Sequence, residues 1–165
     1  MRCLRLLLIV LLLPSISIAQ PAPTPEVVLH VSGATGHSLD LTEEDLSKLP
    51  RVSVNVTTEK GIAAVYEGVA VSEILRRVDA PFGKAMRRDG MTLYLIVTAS
   101  DGYRVLYALA ELDPAFADRV VLLADHRDGK SLSSAEGPFR MIVPGEKLHA
   151  RWIRNVTTLS LHRAN

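Results

Sequence analysis

The chain has 165 residues, with 19 lysines and arginines against 18 aspartates and glutamates, for a formal net charge of +1. No run of basic residues is longer than two, which argues against a surface built for nucleic acid or an anionic membrane. The single cysteine is Cys3, so the rest of the chain offers no disulfide, no thiolate metal site and no cysteine nucleophile. This length suits one domain with a hydrophobic core.

Residues 1–19 have the pattern of a secretory signal peptide. Arg2 and Arg5 precede the apolar run Leu6–Leu13, and Ser17-Ile18-Ala19 places small residues at a cleavage site. The run is shorter than the roughly 20 apolar residues that span a bilayer as a helix. We expect cleavage before Gln20, a periplasmic or secreted protein, and no stable membrane insertion afterwards. An uncleaved N-terminal anchor is the alternative interpretation.

The remaining chain is interpreted as a short leader and one domain. Residues 20–26 are rich in proline and predict a flexible leader, which is followed by a single domain over residues 27–163. Within the domain, Val27–Val31 predicts a first strand. Thr42 predicts the cap of a helix that stops at Pro50.

Further along, the hydrophobic periodicity favours short strands over helices. Val52–Val56 alternates apolar and polar residues, and Gly68 is expected to open a helix with an inward face at Val71, Ile74, Leu75 and Val78. Other short elements are predicted at Leu93–Val97, Tyr103–Tyr107, Leu109–Leu112 (a helix), Val120–Ala124, Phe139–Val143 and Trp152–Leu161. Many short strands with few helices predict an α+β fold around a mixed, mainly antiparallel β-sheet.

Eight short motifs follow one another between Val27 and Leu161. They are Leu46–Pro50, Val52–Thr58, Tyr66–Val69, Asp101–Tyr103, Leu122–Ala124 with Asp128-Gly129, Gly137–Arg140, Val143–Gly145 and Arg151-Trp152. In this order they resemble the sulfite-oxidase-type molybdopterin-binding domain family, and the segment from Gly137 to Gly145 is the most specific of them. The resemblance implies that family's fold and, as an activity, molybdopterin-dependent oxidoreduction.

The sequence departs from the family where the metal would bind. The resemblance implies a molybdenum-ligating cysteine shortly after the Val52 strand, and here Thr57, Thr58 and Glu59 occupy that stretch. A neutral hydroxyl is a poor substitute for a soft thiolate ligand. The family's histidine upstream of Gly-x-Pro-x-Arg is also missing, since Ala135 and its neighbours stand there. We therefore expect no catalytic residue, no metal site and no bound cofactor; molybdopterin is the cofactor if the oxidoreductase alternative holds.

Four residues make up the candidate binding site. Arg140 matches a family arginine that contacts the pterin phosphate, and a guanidinium suits phosphate because it offers a planar fork of donors. Arg151 replaces the family's lysine and keeps the charge, and Tyr103 and Asp101 complete the set. In the alternative interpretation, Arg140 pairs with an acid such as Asp101 and holds a loop. Tyr103 is either a pocket wall or a hydroxyl bridge between a loop and the sheet.

Two other side chains bear on function. His126, between Asp125 and Arg127, is the strongest functional candidate among five histidines, although a solvated histidine is the ordinary explanation in a polar loop. No two histidines have the spacing of a metal site. Trp152 is expected to pack in the core.

Three hypotheses for function follow from these patterns. In the first, the protein is a non-catalytic module that binds a small anionic ligand or a protein of the cell envelope. In the second, it is a molybdopterin oxidoreductase without a protein thiolate, and metal analysis would identify it. In the third, it is a structural or assembly partner with no ligand, which a charge cluster at a cleft mouth would argue against.

Overall fold

The computed structural model describes Glu26 and residues 28–164, so the predicted signal peptide and all of the leader except Glu26 lie outside the described residues. The strands are β1 (Leu29–Ser32), β2 (Ser38–Leu41), β3 (Arg51–Thr57), β4 (Ala63–Ala70), β5 (Leu93–Ala99), β6 (Arg104–Ala108), β7 (Leu122–Arg127), β8 (Lys130–Ser131), β9 (Arg140–Ile142) and β10 (Val156–Arg163). The helices are α1 (Glu43–Ser47) and α2 (Val71–Arg76), with 3₁₀ turns at Gly83–Met86, Arg88–Thr92 and Leu109–Leu112. None of the helices in this described part is long and apolar enough to cross a membrane.

The first sheet has five strands in the order β2-β1-β10-β5-β6. The pair β1–β10 is parallel, and the other neighbours are antiparallel. Along β5, buried and half-buried residues alternate, so that Leu95 and Val97 point into the core. This is the period-two pattern of a strand with one face buried.

The second sheet is antiparallel throughout, in the order β3-β4-β7-β8, with β9 also paired to β7. Side chains of both sheets and of α2 join one buried hydrophobic cluster. The predicted α+β fold with mainly antiparallel strands is confirmed, although the strands divide into two sheets rather than one.

Both helices have the cap or the buried face that the sequence predicts. The Thr42 hydroxyl accepts from the Asp45 N–H at 3.1 Å, and the Asp45 carboxylate accepts from the Thr42 N–H, which forms a capping box at α1. Burial of Leu46 anchors α1 to the core, and burial of Val71, Ile74 and Leu75, together with Val78 two residues past the helix end, anchors α2.

The interpretation of Gly68 as a helix start is wrong, because Gly68 lies inside β4 and α2 begins at Val71. A Cβ at position 68 would stand 2.1 Å from the Leu123 carbonyl oxygen. Glycine therefore permits β4 and β7 to approach closely, rather than ending a strand. Strand β4 was missed because its apolar and polar residues do not alternate regularly in its second half.

Strand ends also differ from the sequence interpretation. The last strand begins at Val156 rather than Trp152, since Asn155 has a positive φ of 51° that breaks the extended chain. Strand β7 continues past the predicted end at Ala124 to Arg127, through the polar loop expected around His126, and the Asp128-Gly129 turn joins it to β8. Both turn residues have positive φ, as a two-residue hairpin requires.

A β-bulge at Asp125 determines which way the polar side chains of the second sheet point. Glu67 pairs with His126, whereas Gly68 pairs with Ala124, so β7 contains one extra residue at this level. The bulge directs Asp125 and His126 to one face of the sheet and Arg127 to the other. Two clefts lie on these opposite faces.

Candidate functional site

A cleft of about 570 Å³ opens on the face of the second sheet that carries Arg127, and we call it the first cleft. It lies between the loop that follows β3 and the chain segment that precedes β10. Its lining residues are Thr58, Glu59, Lys60, Ile62, Tyr66, Arg127, Glu136, Arg140, His149, Trp152 and Arg154. The first cleft thus includes Arg140 and two of the residues that stand where the family's cysteine was expected.

The loop after β3 is held by its own side chains. The Thr58 hydroxyl accepts from the Ile62 N–H at 3.2 Å and closes a turn. The Glu59 carboxylate accepts from the His149 N–H at 2.5 Å and ties this loop to the opposite wall of the cleft. Both oxygen groups are therefore engaged in holding the cleft together. Thr57 lies on an exposed face of β3 and does not line the cleft.

Arg140 lies at the base of the first cleft, with 14% of its side chain exposed. Its guanidinium forms an ion pair with Glu136 and donates to the Tyr66 hydroxyl at 3.3 Å. The Arg140 Nε atom is buried and has no hydrogen-bond partner among the described residues. One donor of this guanidinium is thus left over for another acceptor, and the predicted acidic partner is Glu136 rather than Asp101.

Aromatic rings surround the Arg140 guanidinium. It lies 5.8 Å from the centre of the Tyr66 ring and 5.9 Å from that of Trp152. Trp152 is stacked on His149 with ring centroids 3.6 Å apart, and its indole N–H donates to the Val143 carbonyl. Burial raises the pKa of Tyr66, which keeps its hydroxyl protonated at neutral pH. The expected core position of Trp152 is confirmed, and its ring also forms a wall of the cleft.

Positive charge dominates the first cleft. Lys60, Arg127, Arg140 and Arg154 face two carboxylates, Glu59 and Glu136. Lys60 and Arg154 are exposed and form no ion pair within the described part of the chain. A cleft with an excess of one sign of charge concentrates ligands of the opposite sign.

Asp101 and Tyr103 line a smaller cleft of about 330 Å³ that shares His149, Trp152 and Arg154 with the first. The Asp101 carboxylate accepts from the Tyr103 N–H at 2.9 Å and stabilises the turn between β5 and β6. The Tyr103 hydroxyl donates to the Ala150 carbonyl at 3.1 Å. The structure therefore brings Asp101 and Tyr103 together beside the first cleft but not into it, and Tyr103 is both a wall and a bridge.

Arg151 is not brought to either cleft. Its guanidinium donates to Glu111 at 3.0 and 3.1 Å, pairs with Glu146, and lies 4.8 Å from the centre of the Tyr107 ring. Burial opposes the charged form, but hydrogen bonds to the two carboxylates outweigh it and raise the pKa of Arg151. Contrary to the sequence interpretation, the donors of Arg151 are used to join three segments of the fold.

Several residues of the first cleft have little or no signal in the sequence, among them Tyr66, Glu136 and His149. Tyr66 belonged to a recognised motif, and Glu136 precedes Arg140 by four residues, so both carried a weak signal. His149 had none, because its role depends on the stacking with Trp152 and the contact with Glu59.

Comparisons with known proteins agree with this architecture. A family model described as the oxidoreductase molybdopterin binding domain matches residues 18–165. Among solved structures, the sulfane dehydrogenase SoxCD from Paracoccus pantotrophus is similar, with a TM-score of 0.61 and 19% sequence identity over 81% of this chain. The match covers 37% of that chain, so the present chain spans well under half of its length. No curated protein matches the sequence.

The donors of the first cleft fit the anionic part of such a cofactor and do not fit its metal. The spare Nε of Arg140 suits a phosphate oxygen. The hydroxyl of Thr58 and the carboxylate of Glu59 are hard oxygen donors that already accept backbone hydrogen bonds, whereas the family resemblance implies a soft thiolate as the protein ligand of molybdenum. Within residues 28–164, no group of three or more histidine, cysteine or acidic side chains is placed to hold a metal ion.

Proposed function

Because the chain belongs to the oxidoreductase molybdopterin-binding domain family, we propose that it is an exported binding module whose first cleft holds a small anionic ligand without redox catalysis. In this role the first cleft binds an anion and supplies no metal chemistry. The anionic group is either a free ligand or part of a protein of the cell envelope.

The observation that carries the proposal is the unpaired, buried Nε of Arg140. A buried donor without a partner costs about 1–3 kcal/mol, and more when the group is charged. A phosphate or carboxylate oxygen bound in the cleft would satisfy this donor once the guanidinium turns towards the cleft, and would then recover that cost. The neighbouring rings of Tyr66 and Trp152 exclude water on two sides, which strengthens the attraction between a guanidinium and an anion.

The rim of the cleft supports the same ligand class. Lys60 and Arg154 are exposed cations at its mouth, while Glu136 and Glu59 are engaged with Arg140 and with the His149 N–H. The positive potential of Lys60 and Arg154 would attract an anion to the cleft, where Arg140 would fix its orientation. The third hypothesis, an assembly protein without a ligand, does not account for this charge cluster.

The second candidate is a molybdopterin-dependent oxidoreductase, and one observation favours it. The first cleft includes Thr58 and Glu59, at the position where the family resemblance places the metal ligand. Elemental analysis of the protein purified from a molybdopterin-producing host separates the two functions. We expect no stoichiometric molybdenum, because the site lacks a thiolate. A molybdenum content equal to the protein content would overturn the binding-module proposal.

Export is a separate part of the proposal and has its own test. Intact-mass measurement of protein secreted or released from the periplasm should give a chain that starts at Gln20. A mass that includes residues 1–19 would support the uncleaved anchor instead.

A further inference from the structure

A second cleft, also of about 570 Å³, opens on the opposite face of the second sheet. Leu46, Leu132, Pro138 and Phe139 form an apolar wall, and Asp125, His126 and Ser131 stand beside it. The residues of the second cleft are separate from those of the first. Nothing in the proposed anion binding uses them.

The β-bulge in β7 makes this arrangement possible. In a regular strand, Asp125 and His126 would point to opposite faces of the sheet. Because β7 contains an extra residue here, both side chains line the second cleft, and His126 Nδ1 lies 2.7 Å from the Asp125 carboxylate. A carboxylate at Nδ1 fixes the imidazole ring and leaves Nε2 as the acceptor nitrogen.

Ser131 lies next to His126 on the same side of the sheet as Asp125. It is the cross-strand partner of His126 in the β7–β8 hairpin, so the two side chains share one face of the sheet. The Ser131 Oγ lies 3.5 Å from His126 Nε2, at the outer limit of a hydrogen bond, and catalytic hydrogen bonds are often this long before a substrate binds. Ser131 is exposed and accessible to a ligand in the cleft.

Arg51 holds the Asp125 carboxylate in place. Its guanidinium donates to both oxygens of Asp125, at 2.6 and 2.7 Å. Burial of the Asp125 carboxyl opposes ionisation, but the hydrogen bonds from Arg51 and His126 outweigh it and lower its pKa. Asp125 is therefore an anion at neutral pH, able to accept the Nδ1–H of His126.

We propose that Ser131, His126 and Asp125 form a second, serine-dependent acyl-transfer site that hydrolyses small esters with an apolar acyl chain. The order of contacts, serine to Nε2 and Nδ1 to carboxylate, is that of a nucleophile, its base and the residue that orients the base. The apolar wall supplies the pocket for the acyl chain.

The reaction balances with water as its only co-reactant. Ser131 Oγ forms a bond to the ester carbonyl carbon while its proton moves to His126 Nε2. The ester C–O bond then breaks, and the alcohol leaves with that proton. A water molecule gives a proton to His126 and bonds to the acyl carbon, which releases the acid as Ser131 regains its proton.

A fluorophosphonate ester with a short alkyl chain is the direct probe, because it phosphonylates activated serines preferentially and marks the residue. Intact mass and peptide mapping should find the adduct on Ser131 in the wild-type chain. Ser131→Ala should give no adduct, and His126→Gln should be labelled roughly 100-fold more slowly, since the general base is lost. The matched control Ser134→Ala removes an exposed serine from the adjoining loop and should be labelled like the wild type.

Hydrolysis of p-nitrophenyl butyrate provides the second measurement. We expect turnover in the wild type and in Ser134→Ala, and none above the buffer rate in Ser131→Ala. Absence of an adduct on Ser131 in the wild type, or a labelling rate unchanged by His126→Gln, would overturn the proposal. Neither result bears on anion binding in the first cleft.

Discussion

The two clefts of the second sheet are equal in volume and opposite in chemistry. The first has cations and aromatic rings, while the second has an apolar wall with a serine, a histidine and an aspartate. Residues adjacent in sequence line different clefts. Arg140 faces the first cleft and Phe139 the second. Likewise, Arg127 faces the first cleft and His126 the second. Strand alternation allows one short motif to build two unrelated sites.

The largest expected effect is at Gly68, in the sheet that carries both clefts. Replacing Gly68 with alanine would place a Cβ 2.1 Å from the Leu123 carbonyl oxygen and force β4 away from β7. We expect a loss of about 4 kcal/mol in the free energy of unfolding, as for severe overpacking in a core. Denaturant unfolding measures it. Gly102→Ala is the control, because only its positive φ of 85° opposes a side chain, and it should cost about 1 kcal/mol.

Arg151 sharpens the contrast between a binding arginine and a structural one. Arg151→Met leaves the carboxylates of Glu111 and Glu146 without their shared cation. We expect a loss of about 3 kcal/mol in unfolding free energy. Chemical denaturation checks this value, and a loss below about 1 kcal/mol, typical of exposed sites, would show that the cluster is not structural.

Arg140 should cost less to remove, because it has a single carboxylate partner that lines an open cleft. We expect Arg140→Met to lose about 2 kcal/mol, mostly from the charge left on Glu136. The double variant with Glu136→Gln should regain most of that stability. If the double variant is as unstable as the single one, the guanidinium itself supports the fold, and its assignment to binding is weakened.

The Arg51–Asp125 pair gives the smallest effect and a defined pH dependence. Because the pKa of Asp125 is lowered on folding, the stabilisation is present above the ordinary carboxyl pKa of 3.8 and is lost as pH falls through the folded value. Asp125→Asn should cost about 1 kcal/mol at neutral pH, and this difference should shrink below pH 3.8. Thermal unfolding of both proteins across this range would contradict the assignment if the difference stayed constant.

The sequence predicted the fold better than the site, for a physical reason. Alternation in Val52–Val56, the Thr42 cap and the apolar face of α2 depend on neighbouring residues, and these predictions are confirmed. Arg140 and Arg151 both carry a guanidinium in a family motif, yet only one has a donor to spare. That difference arises from partners distant in sequence, such as Glu111 for Arg151, which no local pattern specifies.

Isothermal titration calorimetry with a pterin phosphate monoester tests the anion-binding claim most directly, with the dephosphorylated pterin as the matched ligand. We expect the wild type to prefer the phosphate form, and the Arg140→Met, Glu136→Gln double variant to bind it roughly 10- to 100-fold more weakly, as the loss of a charge-assisted hydrogen bond implies. Arg77→Met removes an exposed arginine from α2's C-terminal cap and should bind like the wild type. Equal affinity of the wild type for the two pterins, or undiminished binding by the double variant, would contradict the account.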